Sequence, residues 1–153
     1  MNNNEKIKTY NDDCKKAIIT MPYRAKSVDS FEWVMGYLLQ EQNNVGEILT
    51  YIQQLDGTKH LVWTNTISRF TGEFSKKGNP IWEFDVIKYH FGNDVAIIRF
   101  GRYSSCFDST KTEHIGFYVD WEKYLNFRKD LGYWINMVDC EVVGNMFDKK
   151  DRE

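Results

Sequence analysis

The chain has 153 residues, a formal net charge of −2, a pI near 5.9 and an aromatic fraction of 16%. Its length suits one domain, or one domain with an appendage, and can bury about 70% of the unfolded chain's surface. The charge balance argues against a general phosphate-backbone binder, which draws its affinity from a clear positive excess, and leaves room only for a local basic patch. No apolar run approaches the roughly 18 residues a membrane helix needs.

Residues 1–20 are polar and read as a mobile N-terminal arm, with no apolar signal-peptide core. The patterned region opens at Pro22. From Phe31 to Leu39 the apolar residues Phe31, Trp33, Met35 and Tyr37 alternate with Glu32, Val34, Gly36 and Leu38, which predicts a strand with both faces partly covered. Residues 40–44 form a polar turn, and residues 47–53 alternate again as a second strand. Asp56-Gly57 is a hairpin signal, and residues 60–65 return as a strand. A β-meander over residues 21–68 is the expectation.

Arg69-Phe70-Thr71-Gly72 leads to a loop tip at residues 75–79, where Gly78 can take φ > 0. Pro80 starts the next strand, because it cannot donate to a ladder. Ile81, Trp82, Phe84, Val86 and Ile87 make a dense apolar segment. Gly92-Asn93-Asp94 closes a hairpin onto a strand at 95–103, residues 104–113 form a polar loop, and 116–121 form a strand. Residues 122–130 are the best helical candidate, ended by Gly132. Residues 133–137 and 141–147 supply two last strands, and 149–153 are a charged tail. Together these predict a mainly-β protein, a meander followed by a small barrel over 69–148 with one or two short helices at most. Closing a barrel would remove most sheet edges.

Several short motifs resemble the YopX-like family of phage and prophage proteins over residues 22–147. Tyr23-Arg24-Ala25-Lys26 is similar to the family's Phe-Arg-Ala opening, and Trp33-Val34-Met35-Gly36-Tyr37 to its Trp-Val-x-Gly-Tyr strand. Arg69-Phe70-Thr71-Gly72 resembles Gln-Tyr-Thr-Gly. Residues 77–87, carrying Gly78, Ile81, Glu83 and Asp85, resemble Asn-Gly-Lys-x-Ile-x-Glu-Gly-Asp-Ile-Val. Glu141-Val142-Val143-Gly144-Asn145-Met146 resembles Glu-Val-Ile-Gly-Asn-Ile. One position departs: the family carries Gly before the Asp, where this chain has Phe84. If that backbone needs φ > 0, Phe is costly there. Either the family glycine serves close packing, or the local turn differs in this chain. The resemblance implies an SH3-like barrel and no defined activity. Family members begin just before the Phe-Arg-Ala strand, so residues 1–20 are an added arm or the product of an early assigned start.

The residue chemistry adds little that is catalytic. Cys14, Cys106 and Cys140 form no C-x-x-C pair, and His60, His90 and His114 show no zinc spacing, so no metal or cofactor is expected. Cys106 and His114 could meet as a nucleophilic pair only through folding. Glu83 and Asp85 share strand parity, which would put two carboxylates on one face for acid–base work or for a divalent cation. The structural alternative is Asp85 fixing a turn. Arg69, Lys76, Lys77, Lys88, Arg99 and Arg102, interleaved with aromatics, are the candidate nucleic-acid patch. The preferred expectation is a non-enzymatic β-domain in the bacterial cytoplasm that binds a protein partner or itself. A nucleic-acid accessory factor is the alternative, and an enzyme using Glu83 and Asp85 the third reading.

Overall fold

The computed structural model describes residues 2–6, 22–89, 92–105, 109–124 and 126–148. They are mainly β, in antiparallel sheets with few short helices, as the alternation predicts. The chain divides into two compact units, Met1–Ile67 and Ser68–Glu153. Most of the expected arm, Cys14 and the tail at 149–153 lie outside the described residues.

The first unit contains β1 (Tyr23–Lys26), β2 (Trp33–Gln42), β3 (Ile48–Gln53) and β4 (Lys59–Leu61), laid side by side as β4-β3-β2-β1. The expected turn at 40–44 moves to 43–47. Gln40 and Glu41 stay in the ladder because each has a cross-strand partner. Gln40 Nε2 donates to Thr50 Oγ1 at 3.4 Å, and Glu41 pairs with Lys59 at 2.6 Å. Asn43 Oδ1 then closes the turn by accepting the amides of Val45 and Glu47. The Asp56-Gly57 hairpin forms as expected, with Asp56 Oδ1 accepting the Thr58 amide. The strand expected at 60–65 stops at Leu61 and gives way to a 3-10 turn at Thr64–Thr66. Thr66 holds that turn to β1, accepting the Lys26 amide and donating to the Trp63 carbonyl. Ala25, Ile52 and Val62 form this unit's core. Near the N-terminus, Asn2 and Glu5 cap one helical turn reciprocally, each side chain accepting the other's amide.

The second unit opens with a hairpin of β5 (Ser68–Phe74) and β6 (Pro80–Trp82), whose tip sits at Gly78 with φ +81°. A four-stranded sheet follows in the order β10-β7-β8-β9, from β7 (Asp85–Lys88), β8 (Val95–Ser104), β9 (Glu113–Asp120) and β10 (Glu141–Asn145). β8 and β9 pair without a break from Ile97↔Asp120 to Ser104↔Glu113. The helix expected at 122–130 is absent; that segment is turns and irregular backbone in its described residues. The helix lies instead at 131–137, mostly as a π-helix, Tyr133–Met137, where a strand was expected. Leu131, Trp134, Ile135 and Val138 follow helical spacing and bury against the sheet, while Gly132 sits inside the helix at φ −57°. Ile81, Ile87, Ile98, Val119, Trp121 and Trp134 anchor the core of this unit.

Candidate functional site

The densest polar constellation gathers around the turn at Glu83–Phe84. β6 ends at Trp82 and β7 begins at Asp85, so the two carboxylates are separated by a turn and the shared strand parity fails. Phe84 takes φ +69°, the left-handed region that its glycine counterpart would occupy freely. The turn is therefore kept, with a bulky residue in it. Its backbone is tied on every side. Glu83 N–H donates to Arg69 O at 2.9 Å, Phe84 N–H to Ile98 O at 2.7 Å, and Met146 N–H to Phe84 O at 3.0 Å. The Phe84 ring meets Phe147 edge-on at 5.3 Å.

Asp85 fastens the same turn from within. Its Oδ2 accepts the Trp82 amide at 2.8 Å and its Oδ1 accepts Asn145 Nδ2 at 3.2 Å. Asn145 Oδ1 accepts the Phe147 amide in turn. Both residues are buried. A register shift between Val142 and Gly144 in β10 places Asn145 opposite Asp85. Glu83 is also buried, and its Oε2 lies 3.6 Å from Arg69 Nε. Burial raises the Glu83 carboxyl above its ordinary range, with Arg69 opposing the shift. The Arg69 guanidinium lies 4.0 Å over the Phe100 ring. Chemically the arrangement holds a turn; both Asp85 oxygens already serve the fold.

The remaining motif residues are also bound into structure. Thr71 Oγ1 donates to Ile81 O at 2.7 Å and accepts the Glu73 amide, at an irregularity in β5 where Gly72 has φ +86°. Ile81 is fully buried. In the first unit the Arg24 guanidinium lies 4.3 Å over the Trp33 ring, and Lys26 Nζ is 4.7 Å from the same ring. A Cβ on Gly36 would meet the backbone oxygen of Gln53 at 2.3 Å, so close approach fixes that glycine.

The six candidate cations do not form one patch. Arg69 pairs with Glu83, Lys76 with Asp139, Arg99 with Asp120 and Glu122, and Arg102 with Glu113. Arg99 and Arg102 have opposite parity on β8, so they face opposite sides of the sheet. Lys77 and Lys88 make no ion pair among the described residues. His60 Nε2 lies 3.0 Å from Gln54 Oε1, and the His114 ring packs on Tyr103. His90 and Cys106 lie outside the described residues, so a meeting of Cys106 with His114 does too. Cys140 is buried, its thiol pushed up to about 11 by burial and then by Asp139. No group of three or more potential metal ligands gathers among the described residues. Nor is any helix among them long and apolar enough to cross a membrane.

Two features escaped the sequence reading. Asn145 meets Asp85 across 60 positions, which no local pattern signals. Lys129, Asn126 and Tyr103 come together with Arg102 and Glu113 around a cleft, from segments read as helix, strand and loop. No match is found among curated proteins. The family described as YopX protein matches residues 22–151, which takes in both the Arg24–Gly36 motifs and the Asp85–Asn145 lock. The chain belongs to the YopX family.

Proposed function

We propose that this chain is a non-enzymatic β-domain of phage or prophage origin. In this reading it acts in the bacterial cytoplasm, by contact with a protein partner or with a second copy of itself, and the second unit follows the plan of a small SH3-like barrel. The carrying observation is the apolar surface of the β2–β3 hairpin and its neighbouring turns. Tyr37 and Leu38 on β2 and Ile48 on β3 are exposed, and Val45 and Leu55 in the flanking turns are 75% and 74% exposed. Single exposed apolar residues are ordinary. Leu38 and Ile48 share one face of the hairpin and Val45 sits at its tip, an exposed apolar end of the kind that interfaces cover, while Tyr37 points to the opposite face and Leu55 lies beyond the other end of β3.

The carboxylate reading loses its motive, because Asp85 caps a turn and Glu83 is bridged by Arg69. The nucleic-acid reading is weakened by the four cations already paired with acids. The test is light scattering across a concentration series, with a pull-down from host lysate, on the wild type and on a Val45→Glu/Ile48→Glu variant. The wild type is expected to self-associate or to hold a stoichiometric partner, and the variant to lose it. A strictly monomeric protein that retains nothing overturns the reading.

A further inference from the structure

The β8–β9 hairpin carries a cleft of 440 Å³ that the proposed function does not use. Its charged lining is Arg102, Glu113 and Lys129. Arg102 Nη1 lies 3.1 Å from Glu113 Oε2, so the carboxylate is already neutralised. Lys129 makes no ion pair among the described residues, and its Nζ sits 5.9 Å from the centre of the Tyr118 ring. Ser104, Ser105 and Asn126 add neutral donors. The lining therefore has one uncompensated cation and a surplus of hydrogen-bond donors, which suits an anion.

The cleft also borders a run of three packed aromatic rings. Tyr103, which lines it, is tilted 29° to Tyr118 and 31° to His114, with centroids 5.5 and 5.4 Å away. The three rings run along one face of the hairpin, over the facing glycines Gly101 and Gly116. A Cβ on Gly101 would lie 3.8 Å from the Tyr118 ring, so the facing glycines let that ring lie close over the strands. An anion site beside an aromatic ladder has the two halves of a nucleotide: donors for phosphate and rings for a base. Arg99 is held by Asp120 and Glu122, so free cations do not continue along the hairpin to track successive phosphates.

We propose that this cleft binds a single nucleotide, with its phosphate on Lys129 and the neutral donors of Ser105 and Asn126, and its base against the Tyr103 ladder. A free mononucleotide and the end of a nucleic-acid strand share that chemistry. The test is calorimetric titration of the full chain at low salt with AMP, adenosine, inorganic phosphate and an eight-residue oligodeoxyadenylate. AMP is expected to bind saturably and more tightly than adenosine or phosphate. Lys129→Ala and Tyr103→Ala should each weaken it about tenfold, and Tyr103→Phe should retain most of it. An oligonucleotide that binds more tightly than AMP, with the same sensitivity to Lys129→Ala, supports the site and identifies a strand as the source. No saturable AMP binding, binding equal to that of phosphate alone, or a folded Lys129→Ala protein with unchanged affinity overturns the proposal.

Discussion

The left-handed backbone at Phe84 costs about 1–2 kcal/mol for a side-chain-bearing residue. Its edge-on contact with Phe147 offsets about 0.5–1.5 kcal/mol of that. Phe84→Gly is therefore expected to stay within about 1 kcal/mol of the wild type in urea denaturation. Phe84→Ala keeps the strain and loses the ring, so it should fall about 1 kcal/mol below Phe84→Gly. An alanine variant as stable as the glycine variant would show that the strain is not carried there. Phe itself gives no turn signal and sits in an apolar run, so in the sequence only Asp85 and the glycine of the family pattern pointed to this turn. Glu83 makes a separate prediction. Its carboxyl is raised above the ordinary 4.5, so in the window just above that value the folded state holds more protons than the unfolded. Stability should fall as pH rises through that window and level off above it. Glu83→Gln should flatten this slope and stay within about 1 kcal/mol of the wild type near neutrality, since the Arg69 left without its partner is half exposed and keeps its solvation. A thermal-melt series from pH 4 to pH 8 checks both statements.

Among the elements, β2 shows how a strand can be legible while its constraint is not. The alternation from Phe31 to Leu39 predicts the strand, yet only the packed sheet reveals that Gly36 faces the Gln53 carbonyl. Gly36→Ala forces a backbone contact that no rotamer can relieve, and it should cost at least about 1–3 kcal/mol. Equal melting temperatures for Gly36→Ala and wild type would show that the two strands separate easily. The helix at 131–137 was hidden by a misleading punctuator. Gly132 reads as a stop, while the spacing of Leu131, Trp134, Ile135 and Val138 carries the true period. Trp134 packs at 4.9 Å on Trp121 and donates its indole N–H to Arg128 O. Trp134→Ala should cost about 3–5 kcal/mol, read as a lowered urea midpoint.

At the scale of the molecule, high aromatic content and regular alternation made the mainly-β class readable, because both follow from local chemistry. The Asp85–Asn145 lock and the Lys129 cleft were not readable, because each joins residues from distant segments. Charge is likewise a matter of arrangement. The formal net charge is −2, and four of the six candidate cations are internally paired. Mobility-shift assays with a duplex of about 20 base pairs at low salt are accordingly expected to stay flat, since few counterions could be released. The lock has a consequence for synthesis. The turn at Phe84 is held by the Met146 amide, the Asn145 side chain and the Phe147 ring. Those groups leave the ribosome about 60 residues after the turn itself, at about 5–20 residues per second. For several seconds the nascent turn has only the Arg69 and Ile98 carbonyls and the Asp85 side chain to hold it, so this unit completes its fold only after residue 147 has emerged.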